Sequence, residues 1–278
     1  MENRVLIINE MKNEFDKMPL SKIERGEHEF VYLSGSIIDG FGNSKSDIDI
    51  YFIYENKNVI LNYLNKNEKN LFNNSHFVQH FELNHRRIDV EFWDLKSVFK
   101  IIEDINNLNK YKAIPIDSLE FIHRFKCGIA ISGEDQFNKL YNKTNFDNLR
   151  HYNAIHHLYL QNSFLEDIEG NIESNDYGTA YFNIRELIYR CVFGYLSLHD
   201  ETTQNRKWLF RKLERYSKKI NNYDILKQYM YLNAFPYHEE SINDYLSSAL
   251  SFCRKINTKL VSEINEQYMK YLPDKFIS

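Results

Sequence analysis

Asp47 and Asp49 stand one residue apart, flanked by Ile48 and Ile50. A third carboxylate, Asp89, lies in a second apolar run, Arg86-Arg-Ile-Asp-Val-Glu-Phe-Trp93. About ten residues before the first pair, an apolar stretch ends in Gly35-Ser36. Residues two apart on a strand leave it on the same face, about 7 Å apart at Cα. Carboxylates converging that way suit Mg²⁺, a hard cation that usually shares its oxygen ligands with substrate phosphates. A third carboxylate beside two would repel them strongly without a cation. Paired metals remove that repulsion and stabilise the attacking and leaving oxygens of an in-line displacement. One ion would lower the pKa of an acceptor hydroxyl, and the other would neutralise charge on departing pyrophosphate. The Gly35-Ser36 turn would let backbone N–H groups approach phosphate oxygens, with the Ser36 hydroxyl as a further donor. A helix starting at Ile37 would add its N-terminal dipole, and Gly40 and Gly42 would let the connection fold back over a triphosphate. Nucleotidyl transfer is the chemistry these residues could do.

These side chains need strands to aim them. Glu29–Leu33 reads as a strand ending at Ser34-Gly35-Ser36. Asp47–Tyr54 alternates strictly, with Asp47, Asp49 and Tyr51 on one face and Ile48, Ile50 and Phe52 on the other. Phe77–Leu83 and Arg86–Trp93 flank Asn84-His85, a hairpin turn. Within the second of these strands, alternation sends Asp89 to the side of the first pair. Glu91 shares its face and could share or take its role. Arg86 and Arg87 either contact phosphate or pair with Glu91 and its neighbours, and Phe92 and Trp93 read as packing. Val5, Ile8, Met11, Phe15 and Met18 recur at helical spacing, and Asn58 to about Leu71 reads as a helix. After Asp94 almost only helical periodicity remains: Leu149, Tyr152, Ile155, Tyr159; then Ala180, Ile184, Leu187, Cys191, Tyr195; then Leu209, Leu213, Tyr216, Ile220. Pro115 opens a helix and Phe235-Pro236 breaks one. The expected organisation is α+β: a small mixed-sheet domain over 1–112, then an all-α bundle over 113–278.

The composition sets wide bounds. The chain has 278 residues, 43% of them hydrophobic, enough for a true core. A net charge of −4 excludes a generic nucleic-acid binder and confines any polyanion site to a local patch. No apolar run nears the roughly 18 residues of a membrane helix, and the N-terminal apolar stretch is too short for a signal peptide. Membrane insertion is therefore not expected. Cys127, Cys191 and Cys253 are far apart and odd in number, so neither a disulfide framework nor a CxxC metal site fits, and the cytoplasm is the expected location.

In order and spacing, Gly35-Ser36, then Asp47-Ile-Asp49-Ile, then the Asp89 strand resemble the DNA polymerase beta-like nucleotidyltransferase superfamily. The His85-Arg-Arg-Ile-Asp89 wording resembles the third-carboxylate strand of family-X DNA polymerases. A short catalytic domain before a helical bundle is more similar to the antibiotic nucleotidyltransferases. The motifs cover 33–50 and 85–93. The resemblance implies transfer of a nucleoside monophosphate from a (d)NTP to a hydroxyl. It makes Asp47, Asp49 and Asp89 ligands to two Mg²⁺, with Mn²⁺ able to substitute, and gives Gly35 and Ser36 to nucleotide binding. The Arg-Arg-Ile-Asp match selects Asp89 over Glu91.

The acceptor is less legible. It could be a small molecule, as in antibiotic resistance, where Glu173, Glu186 or Glu214 would offer a base. It could be a nucleic-acid end or a protein side chain, in a template-independent, protein-primed polymerase of anti-phage defence. Tyr268 and Tyr271 are candidate self-acceptors, although amphipathic packing explains a tyrosine more simply. Lys207, Arg211, Arg215 and Lys218 form a basic stripe. Such a stripe is commonly a solvated helix face, but Lys207 and Arg211 are retained as candidate triphosphate contacts. His151, His156 and His157 do not share a helix face, so a metal site there is not expected, and the Arg150–His156 spacing carries little weight. A non-catalytic nucleotide-binding or antitoxin-like module is the reading from another class, and a homo-oligomer is admitted.

Overall fold

β-Branched and aromatic residues dominate the three stretches that carry the candidate site, and each becomes a strand. The computed structural model describes residues 2–24, 26–64, 70–72, 76–83, 85–108 and 113–273. The chain is α+β and divides into two compact units, Met1–Phe146 and Asp147–Ser278. In chain order the first holds α1 (Glu2–Glu14), β1 (Phe30–Ser34), α2 (Gly35–Ile38), β2 (Ile48–Tyr54), α3 (Lys57–Leu64) and β3 (Asn70–Phe72). It continues with β4 (His76–Leu83), β5 (Arg86–Asp94), α4 (Leu95–Asn106), α5 (Ile116–Lys126), β6 (Ile129–Ser132) and α6 (Glu134–Tyr141). The six strands form one sheet in the order β3-β4-β5-β2-β1-β6. Among the described residues, only β2 and β5 run parallel, and the other pairs are antiparallel.

The two faces of this sheet bury different chemistry. One carries Val31 and Leu33 of β1, Ile48, Ile50, Phe52 and Tyr54 of β2, and Ile88, Val90 and Phe92 of β5. These pack with Ile7 and Met11 of α1, Ile38 of α2 and Ile60 of α3. The other face carries Phe30, Tyr32, Tyr51 and Trp93, which stack and edge against Phe121 and Phe125 of α5 and Phe137 of α6. Rings of this size bury about 150–250 Å² each, so this cluster fixes where α5 lies on the sheet.

Several expectations change. The helix foreseen from Asn58 to about Leu71 ends at Leu64; Asn70–Phe72 instead pairs with β4, and 65–69 lie outside the described residues. In the hairpin, Asn84 also lies outside them, and His85 takes a φ of 60°. A strand does follow Asp94: β6, only four residues long, pairs with β1. So short an edge strand shows no readable period. The sheet-bearing unit accordingly runs to Phe146, past the 112/113 division foreseen from periodicity; 109–112 lie outside the described residues.

The second unit is helical: α7 (Phe146–Glu173, which begins on the last residue of the first unit), α8 (Tyr177–Leu198), α9 (Leu209–Ile220), α10 (Asp224–Ala234), α11 (Ile242–Glu263) and α12 (Glu266–Met269). The expected helical runs are buried where their spacing predicts, apart from exposed Tyr159 and Ile220. Gln161 of α7 ties the core together, accepting from Asn257 of α11 at 2.7 Å and from Cys191 of α8 at 3.1 Å. None of the three cysteines is in a disulfide. Among the described residues, no helix is long and apolar enough to cross a membrane.

Candidate active site

Gly35 is the residue on which the site is built. It takes a φ of 85°, a conformation L side chains rarely adopt. A Cβ there would lie 1.7 Å from Asp49 Oδ2. The carboxylate therefore occupies the space a side chain would fill, and only glycine lets β1 end against it. The helix expected from Ile37 starts at Gly35 and lasts one turn. It stops because Gly40 takes a φ of 85°, with Gly40 N–H bonded to Ile37 O and Phe41 N–H to Ser36 O, a Schellman pattern. Gly42 then passes so close to Ile37 that an added Cβ would meet its Cα at 2.8 Å. The two glycines fold the connection over this turn. One turn carries little macrodipole; what it offers is the N–H groups of its first residues, which have no intrahelical partner.

The strand registers converge on the same point. Asp49 pairs with Ser34 at the end of β1 and with Asp89 across the parallel β5 ladder. Asp47 sits one residue ahead of β2. Burial pushes the Asp49 carboxyl up to about 7, with Arg124 opposing the rise and Asp47, Glu91 and Asp89 adding to it. Asp89 is held on both oxygens. Arg87 donates from Nε to Oδ1 at 2.6 Å and from Nη2 to Oδ2 at 2.7 Å, and His80 Nδ1 lies 2.7 Å from Oδ1. Arg87 thus pairs with Asp89, a neighbour of Glu91, as the structural one of its two readings expected. Glu91 belongs to the next rung: it accepts from Tyr51 Oη at 3.0 Å and from Trp93 Nε1 at 2.9 Å.

Arg124, on α5, was not foreseen. Its side chain is mostly buried, at 12% exposure, and pairs with Glu120 at 2.8 Å. Burial disfavours its charge, but Tyr51, Glu120, Asp49 and Asp39 outweigh that, and its pKa is raised. It stays a fixed cation beside Asp49. Ser34 Oγ donates to its backbone carbonyl at 2.7 Å and so joins the end of β1 to α5. No local sequence signal ties Arg124 to the site, because Tyr51, Asp49 and Asp39 are distant from it in the chain and it lies beyond the boundary drawn from periodicity.

The remaining candidates lie in the second unit. Lys207 and Arg211 are exposed, at the turn Arg206–Trp208 and on α9, with Lys207 Nζ 4.9 Å from the Trp208 ring centroid. The rest of the stripe is engaged by acids, Arg215 with Glu201 and Lys218 with Glu214 at 3.2 Å. Among the candidate bases, Glu214 is thus in an ion pair, as is Glu186 with Arg206. Tyr268 is buried at 4% exposure and donates to Asn148 at 2.5 Å, a poor position for a self-acceptor. His151 stacks on that tyrosine, and His157 is wholly buried.

No family model matches the chain, and no curated protein is similar to it. Among solved structures it is similar to a nucleotidyltransferase-like protein from Exiguobacterium sibiricum 255-15, with a TM-score of 0.45 and 13% identity, over 92% of this chain and 74% of that one.

Proposed function

We propose that the first unit is the catalytic core of a Mg²⁺-dependent nucleotidyltransferase that moves a nucleoside monophosphate from a (d)NTP to a hydroxyl. One observation carries this reading: the Asp49 carboxylate lies against Gly35 and beside Asp89 at once. The phosphate turn and two of the three carboxylates therefore meet at a single contact.

The residues fit divalent cations. Burial first, and then the like charges around it, push the Asp49 carboxyl up to about 7, and a bound cation would offset both. The donors are all carboxylate oxygens, a hard set suited to Mg²⁺ or Mn²⁺. Asp47, Asp49 and Asp89 would hold the ions, which supply charge neutralisation on the triphosphate and a more acidic acceptor hydroxyl. The chain's own groups do the rest. The N–H groups of Gly35 and Ser36 receive phosphate oxygens, with the Ser36 hydroxyl as a further donor. Arg124 contributes a fixed positive charge where charge builds up in transfer. Arg87 and His80 orient Asp89, as outer partners of metal ligands commonly do. Glu91 is committed to Tyr51 and Trp93, which supports Asp89 as the ligand. Lys207 and Arg211, exposed cations of the second unit, are that unit's candidate phosphate contacts.

Incubation of the pure protein with each α-labelled (d)NTP and Mg²⁺ tests this. A ladder identifies a polymerase, a labelled protein band identifies self-modification, and transfer only with added small molecules identifies a modifying enzyme. Asp47→Asn should abolish whichever activity is found. Full activity in that variant, or nucleotide binding without turnover under every condition, would overturn the catalytic reading.

A further inference from the structure

A second group of ligating side chains lies at the far end of the phosphate turn. Asp39 closes that turn, one residue before Gly40. His123 and Cys127 come from α5 and its C-cap, four residues apart and so on one helix face. One ligand atom from each of Asp39, His123 and Cys127 lies within 4.8 Å of the others. His123 Nε2 and Asp39 Oδ2 are 3.2 Å apart, their side chains 1% and 7% exposed. That separation lies just short of the ligand–ligand edge of a tetrahedral zinc site, about 3.3–3.8 Å for bonds of about 2.0–2.3 Å, so a small outward shift would open it to an ion. The plain alternative is a buried carboxylate–imidazole pair holding the turn to α5, with the cysteine beside it by chance.

We propose that Asp39, His123 and Cys127 form a site for one zinc-class transition-metal ion, separate from the Asp47–Asp49–Asp89 cluster. The donor chemistry separates the two. Thiolate and imidazole suit Zn²⁺ and Co²⁺, whereas the all-carboxylate set suits Mg²⁺. Three protein donors leave a fourth position for water, and half-buried Cys127 gives the ion a way in. Binding would displace the thiol proton of Cys127. The ion would pin the turn from Gly35 to Asp39 onto α5, beside Arg124. The metal site stands without the nucleotidyltransferase reading; only this effect on the phosphate turn rests on it.

Cobalt titration of chelator-stripped protein tests the proposal. The full chain should take up one Co²⁺ with a thiolate-to-cobalt charge-transfer band, which carboxylate ligands do not give. Zn²⁺ should displace it and raise the melting temperature. Cys127→Ser should lose the band and bind Zn²⁺ at least about 100-fold more weakly, and His123→Gln should weaken binding similarly. Where a variant folds poorly, the unsubstituted protein still decides. Zn²⁺ should slow alkylation of Cys127, read by mass spectrometry, and leave the slow reaction of buried Cys191 and Cys253 unchanged. Absence of the thiolate band, its persistence in Cys127→Ser, or alkylation of Cys127 at the same rate with and without Zn²⁺ would overturn the site. Loss of nucleotidyl transfer in Asp47→Asn with the cobalt band intact would keep the two metal assignments distinct.

Discussion

Along one face of the sheet, successive rungs of the β2–β5 ladder read Asp49–Asp89, then Tyr51–Glu91, then Ile53–Trp93. The backbone geometry of the three is the same; their surroundings are not. At the first rung two carboxylates share a site beside Gly35, and burial opposes the ionisation of Asp49. At the third, Trp93 packs on Phe121, with ring centroids 4.5 Å apart, inside the aromatic cluster. The middle rung joins them: Glu91 accepts from Tyr51 on its own rung and from Trp93 on the next. The aromatic end stabilises the strands, and the acidic end uses that stability to hold charges that would otherwise move apart.

The contrast can be broken from either end. The largest effect is expected at the acidic rung: Asp89→Asn should lower nucleotidyl transfer about 10³-fold or more, roughly 4 kcal/mol of transition-state stabilisation, with little change in fold by circular dichroism. At the aromatic end, Phe125 touches Phe30, Tyr32, Phe121 and Phe137. Phe125→Ala should cost about 3–4 kcal/mol in urea unfolding, chiefly as a cavity.

Removing a charge at the acidic rung should do the reverse. Asp49 titrates near 7 when folded, against 3.8 for the ordinary side chain, so the folded state holds a proton that the unfolded state has released. The contribution of Asp49 to the stability of the metal-free protein is then fully present below about pH 4 and is lost as pH rises through about 7. Asp49→Asn mimics the protonated form. It should stabilise the metal-free protein by about 1–3 kcal/mol at pH 8, with the gain vanishing towards pH 4, and melting curves at the two pH values read the difference. The smallest effect belongs to the middle rung: Glu91→Gln keeps an acceptor oxygen for Trp93, while the Tyr51 hydroxyl can turn to accept from the amide, and transfer should change less than about tenfold.

The division of labour on β2 was readable because strand period and residue type agree from Asp47 to Tyr54. The glycines were readable as a turn, but the reason for Gly35 was not: the collision with Asp49 needs the folded register. Arg124 and the Asp39–His123–Cys127 group escaped for the same cause. Their members are 84 residues apart for the Asp39–His123 contact, and nothing local marks the pairing. β6 escaped because four residues at a sheet edge carry no period. In the second unit periodicity sufficed for α7, α8 and α9, but the basic stripe hid Lys212. Its side chain is fully buried and donates to Thr203 O at 2.6 Å, which charge patterning alone does not foresee.

Counting bound Mn²⁺ by electron paramagnetic resonance, with a non-hydrolysable nucleoside triphosphate present, tests the central claim most directly. The account predicts two ions per chain that appear only with the triphosphate, are lost in Asp49→Asn and Asp89→Asn, and persist in Glu91→Gln. Triphosphate-dependent Mn²⁺ that survives Asp49→Asn, or that Glu91→Gln removes while Asp89→Asn spares it, would contradict it.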